Sequence, residues 1–340
     1  MSTLAPPRPS PSPPPTGLRG PARVVVRQHR SVLWASVAFL VLVAAAMVGT
    51  RLLTDRFADQ FAATGCSIED TVHGCGDTVR SYLDDQYLLH TVQSWAGLAI
   101  LVLPVLVGAF TAGPLIAREL ETGTYKLAWS QSVTPARWLT AKLAVPAALL
   151  LAGLSVLTAA FTWARARTGS EYSIDWYDTP AFVTTGAAPV AYALLGLGVG
   201  ALIGLLVRRT VAALSLAALA TGAVITVLAS VRSALWPLRT TVLGMSADDA
   251  AITPPIDSWV VRTGQFTSGG DRLPVDVCWG MDVEAEQARC MADHHITGMF
   301  IDYHPASHFW PLQLVETGIL LVLAALALTL AFRLLRRRHG

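Results

Sequence analysis

The chain has 340 residues, of which 53% are hydrophobic and only 14% are charged. Soluble domains carry roughly 25% charged residues, so this composition excludes an ordinary soluble protein and indicates a chain that crosses a membrane several times. The formal net charge is +2, and the only lysines are Lys126 and Lys142. We expect no nucleic-acid partner for such a chain.

The chain begins with a tail that has almost no apolar side chains. Residues 1–30 are rich in proline, serine and threonine. Such a stretch cannot bury enough surface to fold, so we predict a disordered cytoplasmic tail. A passive tail is favoured over the alternative, a proline-rich ligand for an SH3-type domain.

Six hydrophobic runs follow, and each is long enough to cross a hydrocarbon core roughly 30 Å thick. They cover residues 31–50, 91–113, 138–163, 187–207, 210–231 and 312–332. Only Arg208 and Arg209 separate the fourth run from the fifth. Pro104 and Pro146 fall inside runs, where neighbouring helices can satisfy the freed carbonyls. We therefore predict an all-α membrane protein with six transmembrane helices.

The basic residues set the predicted orientation, because they collect on the cytoplasmic side of a membrane. With the N-terminus inside, the inner segments hold 15 basic residues against two acids, Glu119 and Glu121. The outer loops hold the other 10 basic residues and 20 acids. Both termini are therefore predicted to be cytoplasmic, in the plasma membrane of a bacterium.

A polar segment at 115–134 separates the second run from the third. Gly113-Pro114 predicts the end of the second span, and a set of residues recurs after it at intervals of three and four. The recurring positions are Ala117, Leu120, Thr124, Leu127 and Gln131, and we predict from them a short amphipathic helix along the inner membrane surface. Thr134 is placed to cap the next helix, with Pro135 as its first residue.

The residues of this segment resemble those of a known family. The stretches 118–124 (RELETGT) and 127–133 (LAWSQSV), with Arg137 and Trp138, are similar to the cytoplasmic segment of ABC-2-type permeases of ABC exporters, those of actinobacteria in particular. A second similar stretch, 305–313 (PASHFWPLQ) with Glu316, precedes the last span. The resemblance covers the topology of the whole chain, but its motifs cover only these two stretches.

The resemblance implies that the segment is a coupling helix that docks on a separate ATPase subunit. The implied contact residues are Arg118, Glu119, Glu121, Gly123, Thr124 and Tyr125. An acid would pair with a basic side chain of the ATPase, and the glycine would permit close backbone approach. An alternative is that the two acids only balance nearby cations and lipid headgroups. The resemblance also implies an assembly of two permease and two ATPase subunits.

All four cysteines fall in predicted outer loops, the oxidising side of the membrane. Four cysteines allow three connectivities. Because two lie in each of two loops, we favour Cys66 with Cys75 and Cys278 with Cys290 over the crossed pairings and over four free thiols.

The largest outer loop, residues 232–311, contains many glycine, proline and aspartate turn signals and few periodic runs. We predict a small, irregular extracellular domain, followed by span 6 and a basic cytoplasmic tail at 312–340. This loop carries the most metal-like histidine spacing: His294, His295, His304 and His308. A solvated loop is favoured over a zinc site, because the spacing matches no ordered zinc motif.

Two features within the spans are open to more than one interpretation. Gly196, Gly200 and Gly204 lie on one face of the fourth span and allow close helix approach, either within the subunit, which we favour, or across a dimer. Glu316 is the only acid inside a predicted span. Its role is structural or is contact with a substrate.

The sequence contains no phosphate-binding glycine-lysine loop, since neither lysine follows a glycine. This chain is therefore expected to bind no cofactor, and ATP and Mg are expected on the partner ATPase. The predicted function is that of a permease subunit that exports an unidentified substrate, for which an amphiphilic or drug-like molecule is one candidate. The alternatives are a membrane signalling or envelope-scaffold protein and, least favoured, a zinc-dependent enzyme at the outer face.

Overall fold

The structure is a computed structural model that describes residues 30–69, 74–130, 134–166, 174–244, 254–255, 257–278 and 284–339. The tail predicted at 1–30 lies, except for Arg30, outside these residues. The orientation in the membrane stays a prediction, and we name the inner and outer ends of the molecule accordingly.

The described chain is mainly helical, and six of its helical stretches are long and apolar enough to cross a membrane. This confirms the prediction of six spans. The helices are α1 (Arg30–Ala63), α2 (Gly76–Leu106), a π-helical segment (Val107–Ala112), α3 (Gly113–Thr122), α4 (Tyr125–Ser130), α5 (Pro135–Arg165), α6 (Thr179–Thr184), α7 (Ala188–Val207), α8 (Thr210–Val231), α9 (Glu284–Asp293) and α10 (Phe309–His339).

Helix α7 is the centre of the bundle. Its most apolar stretch is 61% buried, whereas that of α5 is only 17% buried. The small residues of α7 let α2, α3 and α10 pack directly against it. Many apolar side chains of α1, α5 and α8 are exposed on the outside of the bundle.

The first outer loop is a helical hairpin and not an open loop. Helix α1 continues to Ala63, beyond the predicted end of the first span, and α2 begins at Gly76, before the predicted start of the second. Cys66 and Cys75 form a disulfide at its tip, with Cα atoms 5.9 Å apart. Phe61 stacks on Tyr82 with ring centroids 4.3 Å apart. The hairpin thus has its own small core.

The sequence predicts that the second span ends at Gly113-Pro114, but the helix continues beyond this pair. Helix α2, the π-helical segment and α3 form one continuous rod of 47 residues that ends at Thr122. Gly113 N–H bonds to the Gly108 carbonyl in the i→i−5 pattern of a π-helix. The change of hydrogen-bonding register just before Pro114 lets the helix continue past a residue that lacks an N–H. The prediction of a separate surface helix at 115–134 is therefore wrong for residues 115–122, which continue the second span.

The outer domain contains a four-stranded antiparallel sheet, so the prediction of an irregular domain is wrong. Its strands are β1 (Arg239–Gly244), β2 (Trp259–Thr267), β3 (Arg272–Pro274) and β4 (Ile296–His304), in the order β1-β4-β2-β3. A disulfide between Cys278 and Cys290 ties α9 to the chain that follows β3. Both disulfides are the pairings that the sequence favours.

Candidate functional site

At the inner end, helix α3 packs into the bundle and does not lie free on its surface. Ile116 and Ala117 have no exposed surface. Ile116 is part of a hydrophobic core that includes Trp138 and Leu139 of α5 and Leu205 of α7. The amphipathic pattern that predicts a membrane-surface helix is therefore explained by burial of α3 against neighbouring helices.

Glu119 joins α3 to the beginning of α5. One carboxylate oxygen accepts a hydrogen bond from the indole N–H of Trp138 at 2.9 Å. The other forms an ion pair with the ammonium group of Lys142, whose side chain is only 11% exposed. Thr134 also caps α5 as predicted, because its hydroxyl accepts from the N–H of Arg137.

Glu121 joins α3 to the beginning of α8. Its Oε2 atom accepts from the backbone N–H of Thr210 at 2.9 Å and from the Thr210 hydroxyl at 2.6 Å. A carboxylate at this position satisfies a free N–H of the first helical turn and lies at the positive end of the helix dipole. Both acids of the predicted coupling motif thus have partners within the chain.

The turn after α3 remains open to a partner. Gly123 ends α3 with a φ of +76°, a left-handed conformation that glycine adopts without strain. Thr124, Lys126 and Leu127 are exposed, and Leu127 has 69% of its surface accessible. Leu127 lies outside the candidate spans, so this exposed apolar side chain is accessible to a partner.

An aromatic cluster fixes α4 beside the bundle. Tyr125 packs edge-on against Trp129 with ring centroids 4.6 Å apart, and Trp129 packs edge-on against Trp138 at 6.2 Å. Trp138 also binds Glu119. Of the predicted coupling residues, Glu119 and Tyr125 thus lie near the start of α5 and Glu121 lies at the start of α8, while Arg118 and Thr124 are exposed.

The glycine face of α7 packs against the rod formed by α2 and α3. A Cβ atom at Gly200 would lie 2.6 Å from the carbonyl oxygen of Gly108, and one at Gly204 would lie 2.7 Å from that of Gly113. Real Cβ atoms do not approach oxygen so closely, so any side chain would force these helices apart. The glycines Gly196, Gly200 and Gly204 form a seam within the subunit.

At the outer end, Glu316 is part of a closed polar cluster. The Nε and Nη2 atoms of Arg232 donate to its two carboxylate oxygens at 2.8 and 3.2 Å, and the hydroxyl of Tyr192 donates at 2.6 Å. Arg232 is 1% exposed and Glu316 has no exposed surface. The guanidinium group also lies 4.2 Å above the ring of Phe182. Of the two roles left open for Glu316, this geometry favours the structural one.

The four histidines of the outer domain do not come together. His294 and His295, at the end of α9, are exposed, in agreement with a solvated loop. His304 and His308 are buried, which that prediction missed. The length of β4 separates the two pairs by roughly 27 Å. Among the described residues, no three His, Cys, Asp or Glu side chains could hold a metal ion.

Sequence reasoning missed the internal partners of the acids, namely Arg232, Lys142, Trp138 and Thr210. Signals for two of them were present. An acid inside a span requires a compensating partner, and Arg232 stands at the end of the neighbouring fifth span. Lys142 lies within the predicted third span, where a lysine equally requires an acid.

Comparison with known protein families gives a match over the helices from α1 to α8. The family model described as "ABC-2 membrane transporter related" matches residues 37–232, more than half of the chain. The match begins in α1, includes the whole inner segment and ends at Arg232, where the outer domain begins. No curated protein and no solved structure matches the chain.

Proposed function

The chain belongs to the family of ABC-2 membrane transporter related proteins, and on that basis we propose that it is the transmembrane permease subunit of an ATP-driven exporter. It is a multi-pass membrane protein with a permease-like bundle. In the proposed complex a separate subunit binds and hydrolyses ATP with Mg. The observation that carries this proposal is the family match across the inner segment.

The ATPase docks, in this proposal, on the turn and short helix from Gly123 to Ser130. This segment presents the exposed Leu127 between Lys126 and the aromatic cluster. A partner with an apolar groove and acidic side chains at its rim would complement it. The acids Glu119 and Glu121 do not contact the partner but transmit its motion, because they tie α3 to the first turns of α5 and α8.

Two permease subunits associate through a surface other than the glycine seam, since α7 already uses that seam within the subunit. The exposed apolar faces of α1, α5 and α8 are available both to lipid and to a second copy. In this proposal the complete complex determines the export direction and selects the substrate. An amphiphilic molecule can reach the bundle from the membrane.

The test is co-purification from the native membrane. The tagged full-length chain is expected to retain a subunit that hydrolyses ATP in a vanadate-sensitive manner, and Leu127→Asp is expected to reduce the bound ATPase activity about tenfold. Burial of this one leucine contributes roughly 1.5 to 3 kcal/mol, enough for such a change in affinity.

Val242→Asp is the matched control, because Val242 is an aliphatic side chain, 50% exposed, on the predicted outer side. It is expected to keep the full ATPase activity. The proposal fails if no ATPase accompanies the wild-type chain. If Leu127→Asp retains as much ATPase as Val242→Asp, and both variants are equally resistant to heat, then the proposed docking site is wrong but the proposed function is not.

A further inference from the structure

The outer domain is joined to the bundle at two short turns. The chain leaves α8 through a 3-10 turn at Arg232–Ala234 and returns to α10 through another at Ala306–His308. His304, the last residue of β4, bridges them. One of its ring nitrogens, Nε2, lies 3.0 Å from the carbonyl oxygen of Ser233, and the other, Nδ1, lies 2.9 Å from Nδ1 of His308.

The partners of His304 fix the protonation of both rings. A carbonyl oxygen can only accept, so Nε2 of His304 must carry the hydrogen. In a neutral ring Nδ1 is then an acceptor, and Nδ1–H of His308 must donate to it. The chain of hydrogen bonds therefore runs from His308 through His304 to Ser233, and it requires that Nδ1 of His304 carries no hydrogen while Nδ1 of His308 carries one.

Burial excludes water from this chain of hydrogen bonds. His304 has no exposed surface and His308 is 8% exposed. The ring of Trp259, on β2, covers His304 with centroids 5.4 Å apart. Water therefore cannot replace the hydrogen bond between the rings while the two turns remain in place.

The charged groups around the pair do not favour a further positive charge. Arg239, on β1, acts on His308 as a like charge. The acid nearest along β4, Asp302, is already bound by Arg262 and Arg272. At the first turn, the charge of Arg232 is balanced by Glu316 of α10.

We propose that His304 and His308 form an acid-sensitive latch that fixes the outer domain to the bundle at neutral pH and releases it when the external pH falls. A proton on Nδ1 of His304 breaks the hydrogen bond between the rings unless Nδ1 of His308 loses its own hydrogen, whereas a proton on Nε2 of His308 leaves that bond in place. A second proton places two N–H groups head to head in a buried site next to Arg239. The latch is a property of this chain alone and does not depend on the proposed ATPase partner.

The direction of the pH effect follows from the position of His304. Burial lowers the pKa of His304 below its usual value, although the hydrogen bond to Ser233 opposes this effect. The unlatched or unfolded state therefore binds protons more readily than the latched state. The stabilising contribution is complete above the free-histidine pKa of about 6.5 and declines as the pH falls through and below that value.

Hydrogen–deuterium exchange of the full-length protein in lipid nanodiscs tests the latch. The amides of Leu235 and His308 report on the two turns, because each is hydrogen-bonded within its turn. After correction for the intrinsic rate, exchange in both turns is expected to accelerate about fivefold or more between about pH 7.5 and about pH 5, as expected for loss of a hydrogen bond. No acceleration in the wild type overturns the proposal.

His304→Gln distinguishes an effect of histidine protonation from an effect of lost side-chain packing. Its side-chain amide can donate to Ser233 and accept from His308 but does not titrate, so exchange is expected to stay slow at both pH values. His294→Gln, the same change at an exposed histidine, is expected to behave as the wild type does. An acceleration in His304→Gln equal to that of the wild type contradicts the latch.

A measurement on the wild type covers the case in which His304→Gln does not fold. In a protein labelled with ¹⁵N-histidine, nuclear magnetic resonance distinguishes the two neutral tautomers. At neutral pH, one buried histidine is expected with hydrogen on Nε2 and another with hydrogen on Nδ1. Two buried histidines of the same tautomer, or a charged buried histidine at neutral pH, overturn the proposal.

Discussion

The inner and outer ends of the helix bundle are both held together by carboxylates, but in different surroundings. At the outer end, Glu316 has no exposed surface and binds Arg232, which is itself almost completely buried. At the inner end, the side chain of Glu119 is 22% exposed and Glu121 is an exposed residue. A buried ion pair is costly to break, whereas water can replace the partners of an exposed acid. The outer end is therefore the more rigid of the two.

The strongest test of this difference is Arg232→Met, which leaves Glu316 buried without its cation. It is expected to lower the free energy of unfolding by about 3 to 5 kcal/mol, the usual cost of an uncompensated buried charge. Denaturant unfolding in detergent measures it. The double variant with Glu316→Leu is expected to recover at least half of the loss. If the single variant is as stable as the wild type, the outer end is not held by this pair.

A smaller effect is expected from Glu119→Gln at the inner end. The amide can still accept a hydrogen bond from Trp138, but the largely buried ammonium group of Lys142 loses its counterion. We expect a loss of about 1 to 3 kcal/mol by the same measurement. A loss as large as that of Arg232→Met would show that the two ends are equally rigid. Lys142→Met, alone and combined with Glu119→Gln, completes a double-mutant cycle that isolates the interaction energy of the Glu119–Lys142 pair.

The smallest effect is expected from Glu121→Ala. It removes the acceptor for the first N–H of α8, but water can reach this site. Faster amide exchange is expected at Thr210, with a smaller shift in the unfolding midpoint than for Glu119→Gln. Glu286→Ala, at an exposed acid of α9, is the control and should change neither. Unchanged exchange at Thr210 would mean that Glu121 does not hold α8.

The sequence predicts well those features that depend on local composition. Hydrophobic length gives six spans, the position of cysteines in loops gives the disulfides, and the Thr134-Pro135 pair gives the start of α5. It fails at Gly113-Pro114. A glycine-proline pair usually ends a helix, but here a π-helical segment that packs against α7 precedes the proline and the helix continues.

The outer sheet was missed for a similar reason. Gly264 and Gly298 lie inside β2 and β4, although glycine in a sequence is usually a signal for a turn. In the folded domain, Gly264 leaves room for the ring of Phe300, which a Cβ atom would approach to 2.6 Å. That requirement arises between strands far apart in sequence, so no local pattern contains it. The partners of Glu119 and Glu121 are non-local in the same way.

The glycine seam between α7 and the α2–α3 rod has a consequence for the entropy of any rearrangement. Gly200 meets the backbone of Gly108, and Gly204 meets that of Gly113, with no side chain between them. Contacts of this kind have no rotamers that can be exchanged for others as the helices shift. Their energy therefore falls steeply with distance and gains nothing from side-chain disorder. Helix α7 and the rod should consequently move together as one rigid unit, and the flexibility needed for the proposed transport should reside in the helices around them.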